Sequence, residues 1–153
     1  MTRTLLALAP VLALSACGMS SPDVAAYQQS VSALQATVVA HEADSVATLT
    51  AEDCAAEHRR YDEAMRPGMG QLTHMSSGMD DCGRMMGRAG PFELRSMCGS
   101  MQGELDRHAT AACTGDAAAN HAEAAHHCQL MRDWLGRQQA GTAGMMGGRC
   151  APR

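Results

Sequence analysis

Sulfur and imidazole recur along this chain at helical spacing. Its 153 residues include 13 Met, seven Cys and seven His, but only four aromatic side chains besides His. His41 falls in a first apolar-periodic stretch. Cys54, His58, Met65, Met75 and Met79 follow in a second, Met101 and His108 in a third, and His121, Cys128 and Met131 in a fourth. Thiolates, thioethers and imidazoles together suit copper(I) best and zinc second, whereas calcium and magnesium want oxygen. Cys54 and His58 stand four residues apart, which puts two side chains on one helix face and lets them share an ion. A thioether also binds copper(I) without losing a proton. These residues are the candidate metal ligands.

Each has a plainer use. Met on a helical stripe fills irregular core space, a seam His is commonly a hydrogen-bonded core residue, and Cys in an exported protein usually pairs. If a second and a third helix turn near Arg88 to Gly90, Cys82 and Cys98 fall at one height, which makes them the candidate disulfide. A core built for packing alone would use Leu, Ile and Val, and this chain has no Ile. Glu123 and His126 have the Glu-x-x-His spacing of di-iron bundles, but that site needs a second copy, and the repeat described below puts Arg60 in its place. There is no phosphate-binding glycine loop, nucleophile elbow or acid–base pair, so no enzyme is expected.

The elements that must hold these residues read as helices. Ser21-Pro22-Asp23 is a helix start, followed by Val24, Tyr27, Val31, Leu34, Val38 and His41 on one face. Thr50 and Asp53 resemble a capping box that opens a second helix, which Pro67-Gly68 should kink or break. Gly90-Pro91 precedes a third, with Leu94, Cys98, Met101, Leu105 and His108 on its seam. Gly115-Asp116 precedes a fourth, ending near Gln139. A weak repeat links the halves: Ala56-Glu57 recurs as Ala122-Glu123, Gln35 as Gln102, and His41 as His108. The expected fold is all-α, an antiparallel four-helix bundle with a kinked or broken second helix; a five-helix chain with a full break at Pro67 is the alternative.

At the N-terminus, Arg3 and the apolar run Leu5 to Leu14 lead into Leu14-Ser15-Ala16-Cys17. This has the charged start, apolar middle and small-residue site of a secretory signal, and it is shorter than the roughly 20 residues that span a bilayer. The segment resembles the lipobox of bacterial lipoproteins. That resemblance implies lipidation at Cys17 and a membrane partner through the lipid, with two or three acyl chains anchoring firmly. Residues 1–16 would then be the signal peptide, 17–21 a lipidated linker, 22–139 the bundle and 140–153 a Gly/Met-rich tail. From Cys17 onward, 11 basic residues face 16 acidic ones, so nucleic acid is not an expected partner, and no protein partner can be named. Gly18 is not the Asp that retains some lipoproteins at the inner membrane, which favours the periplasmic face of the outer membrane. The sulfur-rich seams are loosely similar to those of exported copper-storage four-helix bundles, although those proteins rely on more Cys. The expected function is a lipid-anchored periplasmic protein that binds a soft metal, copper(I) first and zinc second. The alternative is an envelope lipoprotein stapled by disulfides, with no metal.

Overall fold

In a computed structural model the chain is described over residues 23–85 and 93–143, without the side chains of 82–85. The signal segment, Cys17, the tail beyond residue 143 and the Cys82 side chain lie outside the described residues. Four helices make up the fold: α1 (Val24–Ser45), α2 (Ala51–Met85), α3 (Leu94–Ala111) and α4 (Ala117–Ala143). No strand occurs among the described residues, and no described helix is long and apolar enough to cross a membrane.

Local chemistry sets the helix ends. The carboxylate of Asp23 accepts the Ala26 N–H at 2.9 Å, so the first cap is Asp23, two residues after the expected Ser21. Thr50 Oγ1 accepts the Asp53 N–H at 3.1 Å, the first half of the expected box, while the Asp53 carboxylate takes the Thr50 hydroxyl at 2.7 Å rather than its backbone N–H. The carboxylate of Asp116 accepts the Ala119 N–H at 2.9 Å and starts α4, which then continues past Gln139 to Ala143.

α2 runs through Pro67 as one element, which removes the five-helix alternative. Proline costs one helical hydrogen bond and crowds the carbonyl four residues before it. The packing on either side of Pro67 outweighs that cost. A Cβ on the next residue, Gly68, would lie 2.7 Å from Leu34 Cδ2, so the Leu34 side chain of α1 seats directly on the bare backbone of α2.

Each helix packs on its neighbours in the order α1–α2–α3–α4–α1, and α2 touches α4 across the middle. The runs are antiparallel. The start of α1 meets the end of α4, where the Tyr27 hydroxyl donates to Gln138 at 3.1 Å. The end of α1 meets the start of α2, where His41 meets Glu57. Most of the core is apolar: Tyr27, Val31, Leu34 and Val38 from α1 pack with Leu72, Leu94, Leu105 and Leu135. Met65, Met69, Met79, Met101 and Met131 are fully buried in the same cluster, and Met75 packs at its edge. At about 1.5–3 kcal/mol for each fully buried side chain, these methionines stabilise the bundle as Leu would.

Among the described residues the disulfide is Cys54–Cys113, between the start of α2 and the residues just after α3. This corrects the expected Cys82–Cys98 pairing, because Cys98 is a buried free thiol. The reason is register. The carboxylate of Asp80 accepts the N–H groups of Leu94 and Arg95 at 2.9 and 3.2 Å. By capping α3 in this way, α2 sets Leu94 level with Asp80, which brings Cys98 beside Thr73 and Ser76.

Candidate metal centre

The bundle end that carries the α1–α2 and α3–α4 connections has a polar interior. His41, Glu57, Glu104, His108 and His127 are all buried there. A buried polar group without a partner is costly, so each of their bonds matters.

His41 Nδ1 lies 2.7 Å from Glu57 Oε1. His108 Nδ1 lies 3.0 Å from Glu123 Oε1. An ionised carboxylate only accepts, so both Nδ1 atoms carry the proton. The two Nε2 atoms then face each other at 3.2 Å. If both rings are neutral, two lone pairs point at one another across that gap. Two such facing lone pairs would attract one cation, either a proton or a metal ion. Two nitrogens bound at about 2.0–2.1 Å to one tetrahedral ion stand about 3.3 Å apart, close to the spacing seen here.

The rings are held on several sides. Tyr61 stacks on His41 with centroids 3.8 Å apart, and His127 stacks on His108 at 3.9 Å. His127 Nδ1 donates to Glu104 at 3.0 Å, and its Nε2 accepts from the Tyr61 hydroxyl at 2.9 Å. Arg107 grips Glu104 with two nitrogens and reaches Glu123 at 2.7 Å. Hydrogen bonds thus join Glu57 to His41, and run from His108 through Glu123, Arg107, Glu104 and His127 to Tyr61; the facing Nε2 atoms and the Tyr61–His41 stack link the two parts. Carboxylates that orient imidazoles through Nδ1 and leave Nε2 free are the usual outer shell of a histidine metal site.

Electrostatics favour uncharged rings at His58, His108 and His127 and ionised carboxylates at Glu104 and Glu123. Burial pulls His108 down to about 4 and His127 down to about 3. Burial also lowers His58, with the neighbouring His41 adding to the effect. Burial pushes Glu104 and Glu123 up, but hydrogen bonds from Arg107 and the histidines outweigh it and hold both below the ordinary carboxylate value. Tyr61 is driven well above the usual phenol range, mainly by burial.

His58 stands beside the pair. Its ring centroid is 4.9 Å from that of His108 and 6.4 Å from that of His41. Its Nδ1 is buried without a hydrogen-bond partner. A cavity of about 10 Å³ is lined by His41, Cys54, Glu57, His58 and His108 among others, room for about one water-sized particle. A cleft of about 130 Å³ between α1 and α2 also reaches His41, Glu57 and Tyr61. Among the described residues, no group of three or more His, Cys, Asp or Glu side chains is placed to hold a metal ion.

Of the expected ligands, the structure brings His41, His58 and His108 together. Cys54 lines the same cavity, but its sulfur is committed to Cys113, which corrects its expected role as a free thiolate. His121 instead bonds the Thr48 carbonyl at 3.0 Å. Cys128 sits in the core, its thiol 3.7 Å from the Val38 carbonyl and pushed by burial up to about 12. Met65, Met79, Met101 and Met131 belong to the apolar core, with Met75 at its margin. His126, of the Glu-x-x-His run, is exposed.

Sequence reasoning passed over His127 and the three glutamates as site residues, yet the repeat carried a signal for most of them. Glu57 matches Glu123, and Tyr61 matches His127, which lies 66 residues on and is its hydrogen-bond partner. His41 and His108, matched in the repeat and 67 residues apart, meet at 3.2 Å. No protein-family model, curated protein or solved structure matches this chain.

Proposed function

We propose that the protein binds one copper or zinc ion through the imidazoles of His41 and His108, with His58 turning in as the third ligand. The carrying observation is the 3.2 Å approach of two Nε2 atoms whose Nδ1 protons are both given to carboxylates. Imidazole donors suit copper and zinc alike, so this donor set moves zinc level with copper(I). Glu57 and Glu123 orient the rings and raise their basicity as ligands. The methionines belong to the scaffold in this reading.

Titration of the disulfide-bonded chain from residue 18 onward, with zinc and with copper(I) held reduced by ascorbate, tests the proposal. One ion per chain, bound more tightly than about micromolar and weakened at least about 10–100-fold in H108A, is expected. Binding no tighter than micromolar, or unchanged in both H41A and H108A, contradicts it.

A second reading rests on the closed Tyr61–His127–Glu104–Arg107 network and the fully buried methionines. In that reading the polar cluster specifies a disulfide-stapled interaction protein and holds a proton where the ion would sit. A melting temperature unmoved by either metal favours it. On the lipobox resemblance we also propose that Cys17 carries lipid and tethers the bundle to the periplasmic face of the outer membrane. Fatty-acid labelling of the wild type that is lost in C17S is the expected result; equal labelling of both contradicts it.

A further inference from the structure

We propose that the Cys54–Cys113 disulfide is a redox gate on the histidine site: when it is reduced, Cys54 joins His41, His58 and His108 as a thiolate ligand and turns the site toward copper(I). This rests on the imidazole site proposed above and names its regulation.

Position is the first support. Cys54 lines the same small cavity as His41, His58 and His108, and Cys113 does not. Cys54 also precedes His58 by four residues within α2, so both side chains project from one helix face. The bridge therefore takes its sulfur from the edge of the site. The other free thiols among the described residues, Cys98 and Cys128, are buried in the core.

The second support is that the bridge can open while the fold stands. Cys54 and Cys113 are both partly exposed, within reach of a small dithiol or phosphine. Cys113 has φ 64°, the left-handed region that non-glycine side chains seldom adopt. The Thr50 cap still starts α2, and the apolar core lies outside the bridge.

The chemistry balances. A dithiol supplies two electrons and two protons, the S–S bond breaks, and Cys54 and Cys113 become thiols while the reductant closes its own disulfide. On binding copper(I), the Cys54 thiol gives its proton to solvent and a sulfur–copper bond forms. The bridged site offers nitrogen alone, and the open site adds a soft anionic donor that copper(I) favours.

Two variants separate loss of the bridge from gain of the thiolate. Both C54S and C113S lack the disulfide, but only C113S keeps Cys54. Copper(I) is titrated against a chromophoric chelator with ascorbate, which leaves disulfides intact. Wild type reduced by a phosphine, then freed of it, is measured beside them and holds the test if a variant fails to fold. Relative to bridged wild type, C113S and reduced wild type should bind copper(I) at least about 10–100-fold more tightly. Both should show a thiolate-to-copper(I) charge-transfer band, and C54S should show neither. Equal affinities for C54S and C113S, or no tightening on reduction, overturn the gate. The two proposals fail separately. If bridged wild type binds and the two variants match, the gate falls and the histidine site stands. If only the forms with a free Cys54 bind, the histidine-only site falls and the thiolate ligand stands.

Discussion

His58 is where stability and metal binding should diverge. Its buried Nδ1 has no partner, and such an atom costs about 1–3 kcal/mol. H58A should therefore leave the apo bundle as stable as wild type or more so in urea, while metal affinity drops at least about 10–100-fold. A matching loss of both would make His58 a packing residue. Tyr61 behaves oppositely: Y61F strips the donor from His127 Nε2 and strands a buried acceptor, so the urea midpoint should fall by the equivalent of about 1–3 kcal/mol. An unchanged midpoint would show that the bond contributes nothing. At this scale the sequence was legible by residue type and much less so by partner. Periodicity put His41, His58 and His108 on inward seams, where they are found. It could not show that the carboxylates of Glu57, Glu104 and Glu123 turn inward, because a charged residue on a helix is by default solvated. His127 was overlooked because Cys128 beside it already filled the seam, although both are fully buried.

Among the elements, α3 depends most on one side chain from outside itself. Its first N–H groups are satisfied by Asp80 of α2, and Glu93 at its N-cap position makes no side-chain cap bond. D80A should destabilise the protein by about 0.5–2 kcal/mol, read as an earlier urea midpoint, with amide exchange quickening first at Leu94 and Arg95. Uniform exchange across all four helices would contradict a local cap. Asp80 also sets a register that the sequence does not carry. Four helices and their approximate ends followed from apolar spacing, Thr50–Asp53 and Gly115-Asp116. Pairing α2 with α3 assumed a tight turn at Arg88 to Gly90. A long-range cap set that register instead, and neither propensity nor spacing encodes such a bond. Pro67 misled for a related reason: local sequence reports the cost of proline within a helix, while the close seat of Leu34 against Gly68 is a tertiary gain.

The whole molecule joins an apolar bundle to a buried polar end, which predicts its response to pH. His127 and His108 titrate near 3 and 4 in the fold, against about 6.5 when unfolded. As pH falls, the unfolded chain takes up protons before the folded one. Stability should therefore be full above about pH 6.5 and decline from there toward about pH 3. Glu104 and Glu123, also lowered in the fold, extend the loss below the ordinary carboxylate range. Urea midpoints should drop between about pH 7 and pH 5; a flat profile would mean the histidines are not buried as described. The disulfide acts on the same scale. It joins residues 59 apart, so opening it should cost about 4 kcal/mol through the unfolded chain, seen as a lower Tm in reductant.

The claim beneath these predictions is that the bridged protein holds its ion by nitrogen. X-ray absorption of the disulfide-bonded protein, loaded with one equivalent of zinc or copper(I), reads the ligands directly. The expected result is a shell of two or three imidazole nitrogens at about 2.0–2.1 Å with their outer-ring scattering. A sulfur shell at about 2.3 Å, from methionine or from the core thiols, would contradict it.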